Sequence, residues 1–169
     1  APKSQGNLMV YVLDRTEEKD AFISEFAEKR GLVPFYANSK AEIPWDVDIS
    51  ARERKQPPLE AWLRGFADAE FVLTDSFHAC VFSILFHKPF GVFVNLERGL
   101  SRIESLLQPL DLMDRCMIAA PVDLDRPIDW EIIDNVLMQN ADSSLEFLKQ
   151  CLNKGRTNCR SCNLQFIES

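Results

Sequence analysis

Phe71-Val72-Leu73-Thr74-Asp75-Ser76-Phe77-His78-Ala79-Cys80-Val81-Phe82-Ser83 is the stretch on which the fold turns. An apolar run ends in Thr74 and Asp75. Small and polar residues and one histidine follow, and then a second apolar run. The pattern predicts a buried strand, a tight turn and a helix that begins in the core. Ser76 is the natural N-cap, and the backbone N–H groups after it face outward. In an open α/β sheet ligands bind at the carboxyl ends of the strands, so Thr74–His78 is the first place to look for chemistry.

Upstream, Leu8–Asp14 reads as another buried strand. Thr16 is placed to cap a helix whose first turn is acidic. Phe22, Ile23, Phe26 and Ala27 recur on one face of it, and Gly31 stops it. Leu32–Tyr36 is a second strand, and Pro34 puts it near an edge. Ala37–Gln56 has no period and reads as a long loop with the basic run Arg52, Arg54 and Lys55. Pro57-Pro58 start a helix over Leu59–Ala69, with Leu59, Trp62, Leu63 and Phe66 on its inner face.

Downstream, the helix after Ser76 is apolar on nearly all sides, which predicts burial in a larger body. Lys88-Pro89 ends it. Phe90–Val94 is a strand and Asn95–Gly99 a polar turn. Ser101 and Glu104 have the spacing of a capping box, ahead of an apolar face of Ile103, Leu106, Leu107 and Leu110. Arg115–Ile118 is a short strand. Trp130–Leu152 is a long helix with a break expected near Asn140. Strands alternating with helices predict an α/β, three-layer, Rossmann-like domain: a mostly parallel sheet with helices on both faces. Residues 1–152 form that single domain and 153–169 a tail.

Composition narrows the function. Hydrophobic residues at 46% suffice for a core, and the formal net charge of −7 argues against a nucleic-acid surface. It leaves room for a small anionic ligand held by a local positive site. No apolar run approaches the ~20 residues needed to span a bilayer. Five cysteines, with Cys80 and Cys116 inside apolar segments, fit a reducing cytoplasm. Cys159-Arg160-Ser161-Cys162 is a lone CxxC in a polar tail, with no second pair to complete a zinc site.

The candidate site residues follow from position. His78, in the first turn of a helix at a strand end, can donate to a phosphate or carboxylate or act as a general acid. A core histidine bonded to a backbone carbonyl is the plain alternative. Thr74, Asp75, Ser76 and Phe77 make the turn that would hold an anion. Glycine-rich phosphate loops and the nucleophile elbow are both ruled out, because the glycines they need are missing. Arg98, Ser101 and Arg102 follow the next strand, reach the same rim, and suit capture of an anion. His87 faces a helix C-terminus, an ordinary place for a basic residue. Trp62 reads as core, and Glu60 as a solvated first-turn carboxylate.

These residues carry a resemblance. The run Trp62-Leu63, Ala69, Val72–Ala79, Phe82-Ser83 and Lys88-Pro89-Phe90 resembles the C-terminal half of the polysaccharide pyruvyl transferase family, in a bacterial branch with a T-D-S-F-H signature. Glu97-Arg98-Gly99, Ser101-Arg102-Ile103, Leu106-Leu107, Leu112 and Arg115 are similar to the stretch that follows. The likeness runs roughly from Leu8 to Ile118. It implies one lobe of a two-lobed fold like that of GT-B glycosyltransferases, the N-terminal lobe being absent and the isolated piece inactive. It also implies a cytoplasmic enzyme of surface-polysaccharide synthesis that moves a pyruvyl group from phosphoenolpyruvate to a sugar hydroxyl, with no cofactor and no metal. Elsewhere in the family the turn reads S-R-L-H-G, and its arginine and histidine contact the donor. The histidine matches His78. Ser76 stands in the place of the arginine and Ala79 in that of the glycine, so Arg98 or Arg102 would supply the positive charge. A nucleotide-sugar glycosyltransferase lobe and a non-catalytic assembly module are the competing readings.

Overall fold

The computed structural model describes residues 3–37, 58–94, 100–117 and 123–154. It divides into two compact units, Ala1–Ile128 and Asp129–Ser169, which are taken separately. The first is built on a five-stranded sheet of order β2-β1-β3-β4-β5: β1 Leu8–Tyr11, β2 Pro34–Tyr36, β3 Phe71–Thr74, β4 Phe90–Phe93 and β5 Cys116–Met117. Every pairing is parallel. The α/β class and the parallel sheet are therefore as the alternation of apolar runs predicts. β3 lies at the centre and is buried along its whole length, which explains its unbroken apolar sequence. β2 is an edge strand, and Pro34 opens it where a missing N–H costs least.

The helices are α1 Glu17–Arg30, α2 Leu59–Asp68, α3 Phe77–Leu85 and α4 Leu100–Leu107. Thr16 caps α1 by accepting from the Lys19 N–H at 3.2 Å. Gly31 ends it at φ 63°, where the Gly31 and Leu32 N–H groups return to Glu28 and Ala27. α1 lays Ile23, Phe26 and Ala27 on Leu8, Val10, Phe71 and Leu73, and Leu124 joins the same cluster. The Phe26 and Phe71 rings lie 4.8 Å apart. Tyr11 alternates to the opposite face. There it meets Trp62 of α2, which in turn meets Phe82 of α3, so α2 and α3 cover that face. Gly65 lets α2 lie close: a Cβ there would fall 2.7 Å from the Met9 sulfur.

Several expected details differ. Leu59 is 67% exposed, because it opens the first turn of α2 ahead of the part that touches the sheet; Phe66 is fully buried. α3 is not enclosed: Leu85 is 62% exposed. α4 already begins at Leu100, so Ser101 lies within its first turn and is not the cap of a capping box. β5 begins at Cys116, because Met113–Arg115 make a 3-10 turn first. Ile118, the loop 38–56, the turn 95–99 and the CxxC tail lie outside the described residues.

Among its described residues the second unit holds one helix, α5 Trp130–Lys154. Asp129 caps it, accepting from the Ile132 N–H at 3.2 Å. The break expected near Asn140 is absent. No glycine or proline interrupts the sequence, and the Ser143 and Ser144 hydroxyls bond back within the helix to the Gln139 and Asn140 carbonyls. Among the described residues, no helix is long and apolar enough to cross a membrane.

Candidate functional site

In this strand order the chain leaves β1 and β3 on opposite faces, so the gap between their carboxyl ends is the usual ligand crevice. Here that gap is closed by hydrogen bonds. Asp75, directly after β3, accepts from the Leu13 N–H at 2.7 Å and the Asp14 N–H at 3.0 Å. Its second oxygen also meets the Lys19 ammonium at 2.8 Å, and its side chain is only 6% exposed. Lys19 further donates to the Asp14 carbonyl. Thr74 is fully buried; its hydroxyl donates to the Tyr11 carbonyl and accepts from the Ser76 N–H at 3.0 Å. The β3–α3 turn is thus bound to the end of β1 at several points.

α3 starts from this fixed turn. Ser76 takes the N-cap position with extended backbone, and its carbonyl accepts from Cys80. Its side chain makes no cap bond. The first three N–H groups of α3, those of Phe77, His78 and Ala79, have no acceptor among the described residues, as helix geometry requires unless a side chain or ligand supplies one. His78 is exposed on this first turn, with its ring edge-on to Phe77 at 5.7 Å. The arrangement offers N–H donors, the positive end of a helix and an imidazole at one spot. That combination suits an anion with a proton to gain or lose.

A model of the family described as polysaccharide pyruvyl transferase matches residues 8–97. The chain belongs to the polysaccharide pyruvyl transferase family. The match runs from the first residue of β1 to just beyond β4 and takes in all of Thr74–His78. No curated protein and no solved structure matches the chain.

In this member of the pyruvyl transferase family, the predicted site residues fall into three groups. Thr74, Asp75, Ser76, Phe77 and His78 share one turn, but Thr74 and Asp75 are engaged with β1 and only His78 is exposed. Ser101 and Arg102 are exposed in the first turn of α4, and α4 packs against α3. The family match stops before them. Arg98 lies outside the described residues. His87, at φ 51°, follows α3 at the end of that helix opposite His78; Glu60 is exposed, and Trp62 is half-buried among aromatic rings. Lys19 went unnoticed in the sequence. A signal was there: a lysine among acids in a first helical turn sits against the helix dipole and therefore needs another reason to be present.

Proposed function

We propose that this chain is the donor-side lobe of a pyruvyl transferase that moves a pyruvyl group from phosphoenolpyruvate to a sugar hydroxyl of a surface polysaccharide or its precursor. The observation that supports this most is an exposed histidine beside uncapped N–H groups on the family-matched turn. The donor's phosphate or carboxylate would lie on the N–H groups of Phe77, His78 and Ala79. His78 would act as general acid, giving a proton to the C3 methylene so that C2 becomes electrophilic; a sugar hydroxyl would add to C2 and lose its proton, phosphate would leave C2, and a second sugar hydroxyl would close the ketal. Arg102, or Arg98, would balance the donor's charge in place of the arginine that Ser76 replaces. Thr74 and Asp75 would serve by holding the turn.

Within this proposal residues 1–152 are one lobe of a two-lobed, GT-B-like enzyme, and the acceptor enters from the other lobe. The test is calorimetric titration of phosphoenolpyruvate into wild type, His78→Ala and Arg102→Ala. Pyruvyl transfer is measured in protein carrying both lobes. His78→Ala should abolish transfer, and Arg102→Ala should weaken donor binding. Unchanged affinity and turnover in both would sink the proposal. Stabilisation by a nucleoside diphosphate, with no effect of phosphoenolpyruvate, would favour a glycosyltransferase.

A further inference from the structure

An acidic residue just before a helix ordinarily turns its carboxylate onto the first free N–H groups. Asp75 precedes the Ser76 cap and does not do this. Both of its oxygens are spent on the loop after β1: one on the Leu13 N–H, the other on the Asp14 N–H and the Lys19 ammonium. Lys19 is an unusual tether. It stands in the acidic first turn of α1, with Glu17, Glu18 and Asp20, where the helix dipole disfavours a cation. Its side chain, only 18% exposed, is pinned by Asp75, by the Asp14 carbonyl and by the Phe93 ring 5.7 Å away. Holding a lysine so closely gives up rotamer entropy. Its ion-pair partner in this position is the Asp75 carboxylate.

We propose that Lys19 is a positioning residue for the anion site at the start of α3: it holds the Asp75 carboxylate on the β1 loop and neutralises it, so that the carboxylate neither caps α3 nor repels an anionic donor. This rests on the reading of that turn as the donor site. Without Lys19, a bare negative charge lies one residue from the Ser76 cap. It then competes with the donor for the same N–H groups and repels it as well.

A purely structural clasp predicts something different, and charge removal separates the two. Phosphoenolpyruvate is titrated into wild type, Lys19→Met, Lys19→Arg and the Lys19→Met/Asp75→Asn double variant, each checked for folding by circular dichroism. Lys19→Met should weaken binding roughly tenfold, Lys19→Arg should stay near wild type, and the double variant should return to within about threefold of it. Without ligand, the backbone amide resonances of Phe77–Ala79 should shift in Lys19→Met as the carboxylate moves onto them, while those of Leu13 and Asp14 lose protection. A double variant that binds as weakly as Lys19→Met, or amides of Phe77–Ala79 that do not move, would overturn the assignment. Wild-type protein that takes no phosphoenolpyruvate would sink the donor-site reading instead, and the ligand-free amide shifts then decide the role of Lys19.

Discussion

Arg115→Met measures how the sheet is closed at its β5 end. Arg115 is fully buried, an uncommon state for a guanidinium. It donates to the Leu124 carbonyl at 3.2 Å and the Arg126 carbonyl at 2.6 Å, and lies 3.4 Å from Asp114. Those bonds hold residues 123–126 over the sheet, where Leu124 fills the space above Gly91 and Leu73. Methionine has a similar length and no donors. It would leave the buried Leu124 carbonyl unsatisfied, at ~1–3 kcal/mol, and release the more exposed Arg126 carbonyl to water at ~1 kcal/mol. Against this, methionine spares the desolvation that lowers the arginine's pKa, and removes a buried Nε that has no partner. The net is a loss of about 2 kcal/mol. In urea denaturation followed by circular dichroism this moves the midpoint down by roughly 1–2 M with an unchanged slope. Arg115→Lys should fall between, since one ammonium replaces a two-armed fork. A neutral or stabilising Arg115→Met would refute the reasoning and show that the apolar contacts of Leu124 alone hold the segment.

Gly31 and His87 end α1 and α3 with the same pair of returning N–H bonds and the same left-handed backbone, at φ 63° and 51°. Gly31→Ala should therefore cost about 1 kcal/mol, although no atom stands in the way of the new methyl, while His87→Gly should stabilise by roughly 0.5 kcal/mol; thermal melts giving shifts of the same sign would contradict this. Asp68 has its carboxyl held down to about 2 from the ordinary 3.8, first by its hydrogen bond from Arg64 and then by the Ser4 N–H. Its contribution is complete above the unfolded-state value and is lost as the pH falls from 3.8 towards 2, so the stability gap between wild type and Asp68→Asn should be widest near neutrality and close in acid. The Cys80 thiol is pushed up to about 12 by burial and then by Cys116. Iodoacetamide at about pH 8 should leave Cys80 unlabelled in the native protein and label it after denaturation, and peptide mass mapping that finds it alkylated at the native stage would contradict its burial.

The parts of the fold legible in the sequence are those set by contiguous residues. β3 is an unbroken apolar run because both of its faces are covered, and α1 carries its cap, its apolar face and its stop within one segment. The misread details depend on neighbours far along the chain. Leu59 has the right spacing for the inner face of α2, yet the sheet begins under the next turn. Ser101 and Glu104 have the spacing of a capping box, but spacing does not say where a helix starts, and this one starts one residue earlier. Asn140 is a weak helix former, and its cost of a few tenths of a kcal/mol is small within a helix as long as α5. Arg115 looked like a strand residue because nothing local says that its fork will find two carbonyls farther along.

The candidate site divides in the same way. His78 stood out because a strand end, a cap residue and a histidine are adjacent in the chain. The role of Asp75 was hidden, since its partner Lys19 lies 56 residues earlier. That contact also bears on the arginine the family carries two residues before its histidine. Ser76 occupies that place and is only 5% exposed, between a buried Thr74 and the first turn of α3. The slot suits a small side chain, and a guanidinium there would have to displace packed neighbours or lie beside Asp75. On the proposed donor reading, the positive charge would come from another element, and α4, which packs on α3 and presents an exposed Arg102, would be the element to bring it.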